Sequence, residues 1–179
     1  MSGHNKWSQI KGKKGVADER RGVLFSKMLL AISVAAKNNP SPDANPRLRS
    51  AIEQAKKSNV PKDNIDRAIS KAAEQKDLEE LIIEAYGPEG VGMVIEAITD
   101  SRNRTTNEIR HLLDEMGAKM ATQGSVMWSF SAQGGPASGR ELKAKFPQVI
   151  SEESKKKLEE IISALDERED VQRVLTNAS

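Results

Sequence analysis

Cations crowd the opening of the chain. Lys6, Lys11, Lys13, Lys14, Arg20, Arg21 and Lys27 lie within the first 28 residues, against two acids, Asp18 and Glu19. Side chains of this type at this density suit the neutralisation of phosphates, each contact adding roughly 0.9 to the log–log salt slope on duplex DNA. The glycines of "KGKKG" (11–15) add little bulk and let a backbone come close. Arg47 and Arg49 extend the basic character further along the chain. Arg102 and Arg104, in "TDSRNRT", fall where a predicted strand gives way to a helix, and free amides there also favour anions. Salt bridges to Asp100 or Glu108 account for those two arginines equally well. Trp7 has two readings, an anchor for a small helical core, which is the commoner use, or a platform for base stacking.

Catalytic chemistry finds little material. His4 and His111 fall in different predicted domains, there is no cysteine, and no H-E-x-x-H spacing occurs. "YGPEGVG" (86–92) lacks the Gly-Lys-Ser/Thr of a phosphate loop and joins two predicted strands, so it reads as a turn. No metal site, cofactor, small-molecule substrate or enzymatic activity is expected. No run of about 18 apolar residues marks a membrane span, and no apolar stretch follows the basic start as a secretory signal requires. A cytoplasmic protein without disulfides is expected.

The net charge of +2 conceals a division. Residues 1–76 hold 16 Lys+Arg and 7 Asp+Glu, whereas residues 77–179 hold 12 and 19. Balances of +9 and −7 create a field that selects a partner for one side, and the basic side selects polyanions. The expected organisation follows this division: a basic helical nucleic-acid-binding domain over 1–76 and an acidic α+β domain over 77–179.

Periodicity supplies the elements that must position these residues. Leu24, Phe25, Met28, Leu29, Ile32, Ala35 and Ala36 predict a helix within 18–38, ended by Asn39 and Pro40. Asn45 and Pro46 read as N-cap and first turn of a second helix with Leu48, Ile52 and Ala55 inside. A third starts at Pro61, with Ile65, Ala68, Ile69 and Ala72 inside. After "EQKDLEE" (74–80) the period shortens. "LIIEAYG" and "VGMVIEAIT" predict strands, the latter with Val91, Met93, Ile95 and Ala97 on one face. Thr105 with Glu108 predicts a capping box for a helix that stops at Gly117. "SVMWSFS" predicts a strand alternating Val126, Trp128 and Phe130, and "ELKAKF" a weaker one. A last helix from Ser151 and a closing strand at "DVQRVLT" complete an α+β fold. That fold is a three-helix bundle followed by an antiparallel-type sheet with two helices on its other layer.

Together "GHNKWSQIKGKKG", "RGVLFSK", "DANPRLRSAI", "NVPKDNIDRAI", "EAYGPEGVGMVIEAITDSRNRT" and "GSVMWSF" resemble the YebC/PmpR family, which includes the mitochondrial translational activator of cytochrome oxidase. The likeness runs through about residue 131 and returns weakly from Ser151. It implies a three-helix N-terminal domain, α+β domains and a non-enzymatic role in gene expression. Carried over by motif, Lys6, Lys11, Lys13, Lys14, Arg20, Arg21, Lys27, Arg102 and Arg104 belong to its basic segments. Three departures stand out: an additional α+β domain of the family is missing around 132–147, Val23 replaces a commonly basic residue, and Glu89 replaces a common glycine.

The expected function is that of a nucleic-acid-binding regulator of gene expression, first of all a DNA-binding transcriptional regulatory protein. A ribosome- or rRNA-binding translation factor relieving stalls at proline-rich stretches is the alternative, because phosphate contacts carry no sequence information. A protein-interaction adaptor is a further one. A helix-turn-helix over 46–73 is weighed against plain bundle packing, which "SNVPKDN" favours.

Overall fold

The protein is described by a computed structural model covering residues 4–74, 77–133 and 141–179, with side chains described outside 4–16, 132–133 and 141. Helix α1 spans His4–Ala36, 33 residues, or about 50 Å at 1.5 Å per residue. It starts fourteen residues earlier than the apolar pattern predicts, so "KGKKG" is helix rather than a supple loop. No proline interrupts residues 4–36, and each glycine costs a helix only about 1 kcal/mol. Helix α2 (Pro46–Lys57) opens as its sequence requires, the Asn45 side chain accepting from Leu48 N–H at 3.0 Å. Helix α3 (Lys62–Lys71) follows a turn in which Asn59 takes φ 60°, a left-handed value asparagine tolerates. Ile32, Ala35, Leu48, Ile52, Ala55, Val60 and Ile65 make the bundle core, against which Phe25, Met28 and Leu29 pack from the C-terminal half of α1. Residues 17–22 of α1 are exposed throughout.

Strands β1 (Glu79–Tyr86), β2 (Gly92–Thr99), β3 (Lys119–Met120) and β6 (Val171–Thr176) form an antiparallel sheet in the order β3-β1-β2-β6. Helices α4 (Arg102–Glu115) and α5 (Glu152–Asp166) cover one face. Ile109, Leu113, Leu158, Ile161 and Leu165 pack there on Leu81, Ile83, Met93, Ile95 and Val171. The opposite face is also occupied. A separate hairpin, β4 (Phe130–Gln133) with β5 (Glu141–Ala144), brings Phe130 and Val126 onto Val94. The cleft beside the bundle is lined by Leu29 and Leu30 of α1 together with Ile98 of β2. Burial on both faces explains why β2 is apolar at nearly every position rather than at alternate ones.

Two local expectations need correction. Thr105 is not an N-cap: Ser101 precedes the helix, and the buried Thr105 hydroxyl bonds Thr99 Oγ1 (2.8 Å) and Asp170 (2.5 Å), while Glu108 pairs with Arg168. "SVMWSFS" is not one strand either. Residues Met127–Ser129 form a 3-10 turn before β4, so Trp128 leaves the alternation and stands 63% exposed.

The turn between β1 and β2 is closed by Gly87 N–H donating to the Val91 carbonyl at 2.8 Å. Glu89 sits there at φ 55°, in the left-handed region that favours glycine. Its carboxylate compensates by accepting from the hydroxyls of Ser151 (2.5 Å) and Ser154 (2.7 Å), which ties the turn to the start of α5. Those hydroxyls hold the Glu89 carboxyl below its ordinary value. The contribution of the clamp is therefore complete above the ordinary carboxylate range and lost as pH falls through the lowered value. Glu89→Ala, which loses the clamp and keeps the strain, should melt roughly 2–4 °C below Glu89→Gly in calorimetry at neutral pH. The separation between wild type and Glu89→Ala should narrow in acid.

Candidate nucleic-acid interface

Once α1 is helical from His4, its cations acquire an order. At about 100° per residue, positions seven apart return to the same side. Lys6, Lys13 and Arg20 are so related, as are Lys14 and Arg21, and the five positions fall within an arc of about 120°. Lys11 lies outside that arc. The side chains of Lys6, Trp7, Lys11, Lys13 and Lys14 are outside the described residues, so the choice between core and stacking for Trp7 lies outside them too.

The described cations are not bare. Arg20 approaches Glu167 at 4.0 Å, Arg102 pairs with Glu79 at 2.7 Å, and Arg104 reaches Asp100 at 2.8 Å and Asp170 at 3.3 Å. Arg47 forms a two-pronged pair with Glu80. Arg49 donates to the carbonyls of Pro42 and Asp43, at 3.2 and 2.9 Å, and Arg21 is exposed. Adjacent carboxylates raise the pKa values of Arg102 and Arg104 further above their already high ordinary value. The local-salt-bridge reading of Arg104 with Asp100 is thus realised, whereas Glu108 is taken by Arg168. Solvent screens exposed pairs of this kind, so they add little to stability.

Lys27 is placed differently from the exposed position its sevenfold relation to Arg20 suggests. It is 9% exposed, donates to the Asp166 carbonyl at 2.5 Å and lies 3.8 Å from the Asp166 carboxylate. Burial lowers its pKa, and the Asp166 charge opposes that shift. It joins the bundle to the end of α5 and is withdrawn from any surface that meets a ligand. Ser26, donating to Glu169 at 3.2 Å, reinforces the same junction. The turn 166–170 therefore gathers Arg20, Lys27 and Arg104 around acidic residues of the second half.

One positioning side chain is not singled out by sequence reasoning. Glu84 is 4% exposed and its carboxylate accepts from the backbone N–H groups of Gly124 (2.5 Å), Val126 (2.6 Å) and Met127 (2.8 Å). It builds the turn that presents Trp128. Its one available signal is an acid within the apolar run "LIIEAY". His111 contacts Glu115 at 3.2 Å on an exposed face. Among the described residues, no group of three His, Asp or Glu could hold a metal ion, and no helix is long and apolar enough to cross a membrane.

A helical bundle with a cationic rod, seated on a two-sided α+β sheet domain, defines a protein class with known relatives. Residues 5–75 match the TACO1/YebC protein N-terminal domain, and residues 78–145 match the TACO1/YebC second and third domain. The chain belongs to the TACO1/YebC family. It is 49% identical over 138 residues to a "Probable transcriptional regulatory protein" of Finegoldia magna, covering 75% of this chain and 57% of that one. A protein of the same description from Trichlorobacter lovleyi is 51% identical over 138 residues, with 75% and 56% covered. The chain thus spans little more than half the length of these relatives. A crystal structure of the conserved hypothetical protein Aq1575 from Aquifex aeolicus superposes with a TM-score of 0.80 at 32% identity, covering 89% of this chain and 90% of that one.

Removing the Glu84 carboxylate would leave three backbone donors without their acceptor. Glu84→Ala should lower unfolding free energy by at least about 2 kcal/mol in urea titration, with Glu84→Gln retaining part of it.

Proposed function

We propose that this chain is a nucleic-acid-binding regulator of gene expression that grips the phosphate backbone with the first half of α1. One observation carries the reading: the continuous helix from His4 gathers Lys6, Lys13, Lys14, Arg20 and Arg21 onto one arc, in a half of the chain with a balance of +9. A straight cationic stripe follows a phosphate chain better than a loop does, because its charges are held in register before binding. The names of the relatives, transcriptional regulatory proteins, support DNA as the first target. The helices α2 and α3 bury Leu48, Ile52 and Ile65 in the bundle core, which supports packing rather than base reading as their role.

The arc yields a graded expectation. Reversing Lys13 and Lys14 to glutamate should lower duplex affinity and reduce the salt slope by about 1.8 between roughly 50 and 200 mM salt. Lys11→Glu, off the arc, should cost less than either. Affinity that ignores salt, or equal effects at the three lysines, would refute the stripe. Crosslinking in cells followed by sequencing distinguishes the targets: promoter fragments support the transcriptional reading, and ribosomal RNA moves the protein to translation.

A further inference from the structure

Four of the six large apolar side chains exposed among the described residues meet at one place. Trp128 is 63% exposed, Phe146 56%, Val149 82% and Tyr86 39%, and all four line an open groove of about 480 Å³. The rings are fixed from behind. The Ser125 carbonyl accepts from both the Tyr86 hydroxyl (2.9 Å) and Trp128 Nε1 (2.8 Å). Buried Asn177 accepts from Gly92 N–H (2.8 Å) and donates to the Phe146 carbonyl (3.1 Å). The indole and phenyl centroids lie 5.5 Å apart, tilted by 43°. The polar edge of the indole is therefore satisfied inside the protein while most of its ring stays in water.

Three lysines stand near this groove, inside a half of the chain whose balance is −7. Lys119 is cross-strand from Tyr86, Lys143 is cross-strand from Ser131, and the Lys145 N–H donates to the Ser129 carbonyl at 2.8 Å, beside Trp128. All three lysines are exposed, and none is paired with a carboxylate among the described residues. Glu84 and Glu89, on the neighbouring strand and turn, are already occupied by backbone amides and serine hydroxyls. Protein interfaces are depleted in lysine, and a second copy of the chain across a two-fold axis would oppose these lysines to one another. Rigid aromatic faces beside unpaired cations suit unpaired nucleobases, whose rings stack while their phosphates meet the ammonium groups.

We propose that the Trp128–Phe146 groove is a second nucleic-acid site, which stacks the unpaired bases of a single strand and holds its phosphates on Lys119, Lys143 and Lys145. This rests on nucleic acid being the partner, as inferred for α1, yet the two surfaces separate experimentally. A duplex keeps its bases stacked inside and does not engage the groove.

The test measures the full chain against a thymine or uracil single strand of about twelve nucleotides, and against a duplex of that length, at fixed salt. Trp128→Ala should lower single-strand affinity about ten-fold and leave duplex affinity unchanged, with Trp128→Phe retaining most of the binding. Lys143→Glu with Lys145→Glu, at exposed positions on β5 and just past its end, should reproduce the single-strand loss without altering the ring. Unchanged single-strand affinity in these variants, or an equal loss on single strand and duplex, overturns the site. So does a wild-type dimer that Trp128→Ala converts to monomer in light scattering, because a second copy then covers the groove. If Lys13→Glu with Lys14→Glu lowers duplex binding while Trp128→Ala changes nothing, the stripe on α1 stands and the groove fails. The converse pattern removes the stripe and keeps the groove, and a wild type that binds neither ligand removes both.

Discussion

Strand β2 is the constraint from which the rest of the structure follows. Met93, Val94, Ile95, Ala97 and Ile98 are all at most 4% exposed, so neither face of the strand can be left to water. On one side α4 and α5 provide the cover. On the other side the β4–β5 hairpin closes over Val94, and α1 borders the cleft at Ile98. Each surface argued to meet nucleic acid is thereby a by-product of burying one strand. The hairpin carries Lys143 to the surface, with Trp128 in the turn before it and Lys145 just past it, and the docking of α1 fixes one end of the cationic rod. At about 25 cal/mol per Å² of apolar area, few other demands in a chain of this size compete with that burial.

Charge plays two roles that composition alone merges. Part of the basic half stitches the two halves together: Lys27 meets Asp166, Arg20 meets Glu167 and Arg47 meets Glu80. The long-range division into +9 and −7 is thus partly spent within the molecule. Lys27 is committed by burial, whereas the exposed arginines hold their carboxylates only weakly. The acidic turn at 166–170 then competes with any phosphate for Arg20 and Arg104. On the binding proposed above, a phosphate there would exchange one anion for another, and less would be gained than a count of cations suggests.

Much of the architecture was legible in the sequence because it rests on local rules. Asn45 and Pro46 start α2, Ser151 starts α5 with its side chain accepting from Ser154 N–H, and Gly117 ends α4 at φ 76°. Where tertiary contacts decide, local reading failed. Thr105 has the spacing of a cap and instead buries its hydroxyl against Thr99 and Asp170, residues distant or hidden in the linear pattern. Trp128 fits an alternating strand until the amides held by Glu84 curl the chain before it. The basic segments were visible as composition, but their arc depends on α1 running unbroken through two glycines, which propensity argues against. Lys27 repeats the spacing of Arg20 and yet lies inside, because the approach of α5 is invisible to periodicity.

The unbroken length of α1 gives it the mechanics of a lever. Phe25, Met28, Leu29 and Ile32 clamp the shaft in its C-terminal half, and from Lys27 to His4 it extends about 35 Å. A pivot of roughly 5° at that fulcrum sweeps the far end through about 3 Å, a full hydrogen-bond length, without any bond inside the rod being broken. Small repacking at the junction with α5 is thereby amplified into displacement of the whole lysine row.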